Sequence, residues 1–180
     1  CGECFYCLHD RPSLCQTYVG PLWAGTMMDG TTRLSRDGRP IYHFSALACF
    51  ADHTVVPEEC CVVLGKDIPL TVAALIGCAV TTGVGAALNT ARVRPGSSVA
   101  VFGAGGVGLS IIMGAKLAGA TTIIGVDIDP RKLEWAREFG ATHTVNPKDG
   151  DPVEAIKALT GGHGVNYSFE AVGRPETTMQ

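Results

Sequence analysis

Residues 99–108 read VAVFGAGGVG, and this stretch decides the fold. The apolar run from Val99 to Phe102 predicts a buried strand, the next residues match Gly-x-Gly-x-x-Gly, and residues 109–119 carry apolar side chains at helical spacing. A strand, a glycine turn and a helix in this order are typical of a dinucleotide-binding unit, because the helix N-terminus presents free N–H groups to a pyrophosphate.

The glycines of the motif have separate tasks. Gly103 permits the tight turn, Gly105 lets the backbone approach the pyrophosphate, and Gly108 lets the helix and the strand pack closely. Gly106 completes the set of turn residues that we expect at the cofactor. The motif alone also occurs wherever a chain turns tightly, so the flanking sequence has to support it.

A second strand supplies that support. Residues 121–127 read TTIIGVD and end in Asp127, about 20 residues after the motif, where a carboxylate can accept both hydroxyls of the adenosine ribose. Such an acid repels a 2′-phosphate, which favours NAD over NADP. Arg131 and Lys132 follow closely and are either solvated helix charges or contacts to the ribose or a phosphate. They soften the NAD preference without reversing it.

The alternation of strands and helices continues to the end of the chain. Residues 130–140 predict a helix that begins at Pro130 and ends at Gly140. The later segments are a short strand at 143–146, a helix at 151–161, a strand at 165–173 and the beginning of a helix within 173–180. Repeated βα units predict an α/β fold with a parallel, doubly wound sheet.

The first fifteen residues, CGECFYCLHDRPSLC, place Cys1, Cys4, Cys7 and Cys15 in one loop. Thiolates at this spacing can surround Zn²⁺ in a closed tetrahedral site, which would be structural. Three alternatives remain. Disulfides need an oxidising compartment, and no export signal is visible. A Cys-x-x-Cys redox pair leaves two of the thiols without a role, whereas an iron–sulfur cluster is compatible with the spacing.

The composition excludes several classes of protein. The chain has 180 residues, 46% of them hydrophobic, and its net charge of −3 provides no basic surface for nucleic acid or an anionic membrane. The longest apolar stretch, at 70–88, is interrupted by Gly and Thr, so we expect it to fall short of a membrane span. We therefore expect a soluble, cytoplasmic protein. Because the chain begins with Cys, we also expect it to be a fragment.

Several stretches together resemble the zinc-dependent medium-chain alcohol dehydrogenases, in the long-loop branch of liver-type and glutathione-dependent formaldehyde dehydrogenases. They are the cysteine lobe and residues 25–44, 76–87, 101–120, 123–142 and 167–174. The resemblance implies part of a mostly β, GroES-like catalytic domain with the zinc lobe over residues 1–79. It implies part of an NAD-binding Rossmann domain over residues 80–180.

The resemblance also implies roles for single residues. The four lobe cysteines match ligands of a structural zinc, and Cys78 matches one ligand of a catalytic zinc whose other ligands lie outside this chain. Without the resemblance, Cys78 is a core thiol of an apolar helix. Thr82 and Val107 match positions that press on the nicotinamide, and Val172 and Arg174 match cofactor contacts. The remaining candidates are interpreted as structural: Cys49, Cys60, Cys61, His43 and His53.

The implied activity is hydride transfer between NAD and a primary or aromatic alcohol or its aldehyde, with the alkoxide bound to the catalytic zinc. The parent protein is expected to be a homodimer or homotetramer, and the fragment alone to be inactive. S-(hydroxymethyl)glutathione is an alternative substrate, although Val19 stands where those dehydrogenases carry an arginine. A zinc-free quinone reductase would lack the cysteine lobe, and a non-catalytic zinc- and NAD-binding protein is the alternative of another class.

Overall fold

The computed structural model describes residues 1–180 and separates into two compact units, Cys1–Leu64 and Gly65–Gln180. The sequence predicts a domain boundary between residues 79 and 80 instead. The difference arises because the helical segment that begins at Leu70 packs against a helix of the second unit.

The first unit contains little regular structure. Its elements are the helices α1 (Phe5–Leu8) and α2 (Gln16–Ala24), the strands β1 (Leu34–Arg36) and β2 (Arg39–Ile41), and 3₁₀ turns at Pro12–Leu14, Phe44–Ala46 and Glu58–Cys60. The two strands pair antiparallel, with Leu34 opposite Ile41. Asp37 and Gly38 connect them, both with positive φ, as a tight two-residue hairpin turn requires. The resemblance implies a mostly β part here, whereas the β structure of the first unit is a single hairpin.

The second unit begins with a continuous helical segment, Leu70–Thr90, which we call the long helix. It consists of α3 (Leu70–Leu75), a π turn (Ile76–Val80), α4 (Thr81–Gly85) and a second π turn (Ala86–Thr90). Its glycines and threonines do not interrupt it. With 21 residues and a mean hydropathy of 1.8, it is long and apolar enough to cross a membrane, so the expectation that this stretch falls short is wrong. A mostly buried core helix of a soluble protein can have the same length and hydropathy, whereas 11% of the most apolar part of the long helix is buried here.

The long helix packs on α5 (Gly106–Leu117) through small residues. A Cβ atom at Gly83 would lie 2.5 Å from the carbonyl oxygen of Val107 and 2.7 Å from the backbone nitrogen of Ile111. A Cβ atom at Gly114 would lie 2.9 Å from the Cβ of Ala87. The helix backbones therefore approach each other where glycine leaves room, and Gly83 of the long helix and Gly114 of α5 serve this packing.

Four parallel strands form the sheet of the second unit, in the order β5-β4-β3-β6. The strands are β3 (Ser98–Phe102), β4 (Thr122–Val126), β5 (His143–Val145) and β6 (Tyr167–Glu170), and the helices between and after them are α5, α6 (Pro130–Phe139), α7 (Pro152–Leu159) and α8 (Pro175–Thr178). The predicted α/β fold with a parallel sheet is confirmed. The chain builds outward from β3 to β5 and then returns to add β6 on the other side of β3, so the order reverses at β3.

Both faces of β3 are buried, as expected for a central parallel strand. Val99 and Val101 lie in one apolar cluster with Ile112 of α5. Ala100 and Phe102 lie in a second cluster, which contains Ile124, Val126, Val145 and Ile156. The sheet thus separates two apolar layers, and β3 contributes to both.

Single residues define where several of the helices and strands begin and end. Asp129 accepts a hydrogen bond of 3.0 Å from the N–H of Arg131 and precedes Pro130, the first residue of α6. Gly140 ends this helix with a φ of 124°. At the start of β6, the side-chain oxygen of Asn166 accepts bonds of 2.8 and 2.9 Å from the N–H and hydroxyl of Ser98. This pair fixes the register of β6 on β3.

Candidate dinucleotide and metal sites

The glycine turn lies between the end of β3 and the start of α5. Gly103 has a φ of 93°, a conformation that side chains disfavour, and a Cβ at Gly108 would overlap the carbonyl oxygen of Gly103. Gly105 differs, because a Cβ there would meet nothing within 4 Å. Gly103 and Gly108 are thus required by the turn itself, whereas Gly105 leaves open space beside the helix N-terminus.

Asp127 follows β4 and binds the glycine turn. Its Oδ2 accepts a hydrogen bond of 2.8 Å from the N–H of Ala104, and its Oδ1 accepts one of 2.9 Å from the N–H of Asp129. The Nζ of Lys132 lies 3.9 Å from Oδ2, and the Asp127 side chain is 8% exposed. A carboxylate has about four lone-pair positions, so two remain for the ribose hydroxyls that the sequence predicts.

The two basic residues after Asp127 point to different partners. Arg131 pairs with Asp129 at 3.0 Å and is largely exposed, whereas Lys132 lies beside Asp127. Arg131 lowers the pKa of Asp129, because the Arg131 guanidinium and the Arg131 backbone N–H both donate hydrogen bonds to that carboxylate. Of the two, Lys132 is therefore the one positioned beside the candidate ribose site.

A cavity of about 330 Å³ opens between these elements. Among its lining residues are Phe102, Gly103, Asp127, Lys132, Val172 and Arg174. The structure thus brings together five of the residues proposed from sequence as cofactor contacts, while Gly105 directly precedes α5 and Gly106 and Val107 are its first two residues. The cavity lies beyond the carboxyl ends of β3 and β4, at the reversal of strand order, where open parallel sheets bind ligands.

Sequence reasoning missed Glu170, the last residue of β6. Its Oε1 accepts hydrogen bonds from the N–H of Val172 (2.9 Å), the N–H of Gly173 (2.9 Å) and the hydroxyl of Thr177 (2.7 Å). The Thr177 hydroxyl, together with backbone N–H groups, holds the pKa of Glu170 below its usual range. An acid at the end of a strand, followed by a glycine and a short helix, is the sequence signal that could have identified it.

The four lobe cysteines meet in space. Their Sγ atoms all lie within 4.8 Å of one another, with Cys1 Sγ 3.5 Å from that of Cys15 and 3.9 Å from that of Cys7. Cys15 is buried where α2 begins, and backbone N–H groups, first that of Tyr18, lower its pKa to about 6. The N–H of Cys7 likewise lowers the pKa of Cys4. Four convergent sulfur atoms supported by N–H donors fit a tetrahedral thiolate site.

Cys78 and Thr82 lie on the long helix and are exposed. The lobe is the one cluster in the structure with three or more side chains able to hold a metal ion, and Cys78 belongs to no such cluster. The residues of this chain do not form a catalytic zinc site by themselves. His43, in turn, is buried in the first unit: its Nε2 accepts a bond of 3.1 Å from the N–H of Arg33, and its Nδ1 has no partner.

Residues 106–180 match the protein family described as zinc-binding dehydrogenase. The structure resembles an alcohol dehydrogenase zinc-binding domain protein from Burkholderia ambifaria. The match covers 99% of the chain, with 42% sequence identity and a TM-score of 0.88. The benzyl alcohol dehydrogenase from Acinetobacter calcoaceticus is 39% identical over 99% of the chain, with a TM-score of 0.84. An alcohol dehydrogenase from Thermus sp. ATN1 is 27% identical over the same share, with a TM-score of 0.70.

The chain covers 48% of the Burkholderia and Acinetobacter proteins and 47% of the Thermus protein, which is about half the length of each relative. The matches extend through both compact units, since nearly the whole chain is covered. The second unit is therefore similar to zinc-binding dehydrogenases over residues 106–180, and the structural neighbours of the whole chain are described as alcohol dehydrogenases.

Proposed function

We propose that this chain is part of an NAD-dependent, zinc-containing alcohol dehydrogenase of the long-loop, liver-type branch. Its reaction is hydride transfer between NAD and a primary or aromatic alcohol or the corresponding aldehyde. The observation that carries the proposal is the buried carboxylate of Asp127, bonded to the glycine turn beside a cavity at the reversal of strand order. The similarity to a benzyl alcohol dehydrogenase supports an aromatic alcohol as substrate.

The residues of the second unit would hold NAD, which supplies the carbon atom that accepts the hydride. The open space at Gly105 and the N-terminus of α5 would take the pyrophosphate, since free N–H groups there attract negative charge. Asp127 would accept the hydroxyls of the adenosine ribose, and Val172 and Arg174 would contact the cofactor from the end of β6. Val107 and Thr82 would position the nicotinamide.

NAD is favoured over NADP because of the charge at Asp127. A 2′-phosphate would bring a second negative group against a carboxylate that is 8% exposed. The ammonium group of Lys132, at 3.9 Å from Oδ2, reduces this repulsion but is itself 40% exposed and screened by water. We therefore propose a preference for NAD that weakens when Asp127 is replaced.

The lobe cysteines would hold a structural zinc ion, in keeping with the sulfur atoms that converge within 4.8 Å. In the parent protein, Cys78 would contribute one thiolate to a second, catalytic zinc, which acts as a Lewis acid on alcohol oxygens when bound. Since this chain supplies no other ligand for that ion, its own contribution to the reaction is to bind and orient the cofactor. We further propose that the parent is a cytoplasmic homodimer or homotetramer. The backbone groups on the outer side of β6 are unpaired and could pair with another strand.

Two measurements test this function. Isothermal titration of the purified chain with NAD and with NADP should give tighter binding of NAD, and elemental analysis should find about one zinc ion per chain. Oxidation of benzyl alcohol and ethanol by the full-length gene product, followed by NADH absorbance, should show turnover. Zinc and NAD binding without turnover of any alcohol would instead indicate a non-catalytic protein, and absence of NAD binding would remove the proposal.

A further inference from the structure

We propose that Glu170 is a positioning residue for the cofactor cavity. Its carboxylate fixes the segment from Ala171 to Arg174, which we call the β6 wall, against the end of β3. The consequence for NAD rests on the function proposed above, whereas the fixing of the wall does not. Glu170 itself does not line the cavity, although Val172 and Arg174 do.

The carboxylate gathers donors from three positions. The N–H groups of Val172 and Gly173 donate to Oε1 at 2.9 Å each, and the hydroxyl of Thr177 donates at 2.7 Å. The Gly173 N–H also lies 3.2 Å from Oε2, and the Thr177 hydroxyl lies 2.9 Å from the carbonyl oxygen of Arg174. One oxygen therefore ties the chain just after β6 to the first turn of α8.

The opposite side of the β6 wall contacts the glycine turn. The N–H of Ala171 donates a bond of 2.8 Å to the carbonyl oxygen of Phe102. A Cβ at Gly103 would lie 2.8 Å from Cγ2 of Val172 and 3.0 Å from the carbonyl oxygen of Ala171. Because no free space separates the wall from the turn, a shift of the wall by a few tenths of an ångström would change the cavity.

The backbone of the wall needs such a support. Gly173 has a φ of 81°, so the chain reverses sharply within the segment. The first regular element after it is the four-residue helix α8, too short to be stable alone. Hydrogen bonds to a charged acceptor are stronger than neutral ones, so a single carboxylate can hold this turn. Without it, the N–H groups of the wall would bind water and the turn would become mobile.

Three variants of the chain test the proposal. Glu170→Ala removes the acceptor, Glu170→Gln keeps an oxygen where Oε1 stands, and Glu176→Ala is the control, because it removes an exposed acid of α8 that accepts no hydrogen bond. Amide hydrogen exchange at Val172 and Gly173, measured without NAD, reports the wall directly. Isothermal titration with NAD reports the cavity, and thermal melting verifies that each variant is folded.

We expect Glu170→Ala to speed exchange at both amides at least about tenfold and to weaken NAD binding about tenfold. Glu170→Gln keeps one acceptor but loses the charge, so it should lie between Glu170→Ala and the original chain in both measurements, and Glu176→Ala should match the original chain. Unchanged exchange in Glu170→Ala would overturn the proposed support of the wall. Faster exchange with unchanged NAD affinity would overturn its consequence for the cofactor. A parent chain that binds no NAD would refute the proposed function, while the exchange rates would still decide the role of Glu170.

Discussion

The Oδ2 atom of Asp127 accepts a hydrogen bond of 2.8 Å from the backbone N–H of Ala104. This bond joins the turn after β4 to the turn after β3, and the second oxygen of the same carboxylate accepts from Asp129. The group proposed to recognise ribose is therefore held in place by the protein before any cofactor arrives. Such preorganisation lowers the ordering cost of binding.

Replacing Asp127 should weaken NAD binding and erase the preference over NADP. Asp127→Ala removes the ribose acceptor and the bond to Ala104 together, so we expect a loss of NAD affinity of about tenfold or more. NADP affinity should change less, because the repulsion of its 2′-phosphate disappears. Isothermal titration of both cofactors measures the ratio. Asp149→Asn, an exposed acid in a surface turn, is the control and should leave both affinities unchanged.

The glycine turn offers a matched pair of substitutions. Gly105→Ala places its methyl group in open space at a φ of −82°, so the fold should keep its stability. NAD binding should weaken at least about tenfold, because the methyl group occupies the space proposed for the pyrophosphate. Gly108→Ala would overlap the carbonyl oxygen of Gly103 and should lower the melting temperature strongly. Equal stability of the two variants would contradict this assignment of roles.

The charge of Glu170 should respond to Thr177. Since the Thr177 hydroxyl is the main cause that lowers the pKa of Glu170, Thr177→Val should raise this pKa toward the ordinary value of 4.5. The stabilisation from the Glu170 carboxylate is present above pH 4.5 and is lost as the pH falls through the lowered pKa, so the variant loses it at a higher pH. Carbon-13 NMR titration of the side-chain carboxyl measures both values, and identical titration curves would contradict the expectation.

The cysteine lobe should depend on its metal. Cys15→Ser removes a buried thiol whose Sγ lies 3.5 Å from that of Cys1, so zinc content should fall well below the value of the original chain and the melting temperature should drop. A chelator should have the same effect on the original chain. Cys49→Ser, which changes an exposed thiol outside the lobe, should retain the zinc. Equal zinc loss from both variants would argue against the four-thiol site.

The long helix provides a second matched pair. Gly83→Ala forces a methyl group against Ser110 and the carbonyl oxygen of Val107, and should lower the free energy of unfolding by about 1–3 kcal/mol. Gly77→Ala meets nothing within 4 Å, so it should be neutral or stabilising by up to about 1 kcal/mol through helix propensity. Urea denaturation of both variants measures the difference. A destabilised Gly77→Ala chain would mean that this face is covered.

The parallel sheet was predictable because local signals and long-range packing agree there. The glycine motif, Pro130 at the start of α6 and Gly140 at its end each fix a local conformation that the structure retains. The position of Asp127 was likewise predictable from its spacing, although its bond to Ala104 was not. That bond depends on the distance between neighbouring strands, which spacing along the chain does not reveal.

The long helix and Glu170 were not predictable from local patterns. The glycines of the long helix suggest an interruption when each residue is judged by propensity, yet Gly83 is retained where α5 leaves no room for a side chain. Glu170 carries no motif, and its three donors become neighbours only when the chain turns after β6. In both cases the decisive contacts are tertiary.

The strand order also leads to an expectation for the order in which the strands pair during folding. Pairing of β3 with β4 places Ser98 opposite Thr122, about 24 residues apart, whereas the Ser98–Asn166 pair beside β6 closes a loop of 68 residues. The longer loop costs about 0.9 kcal/mol more in closure entropy. Strand β6 should therefore dock after β3, α5 and β4 have formed a nucleus. The wall of the cofactor cavity should then form after this nucleus, so a molecule arrested before β6 docks would have part of its sheet but no complete cavity.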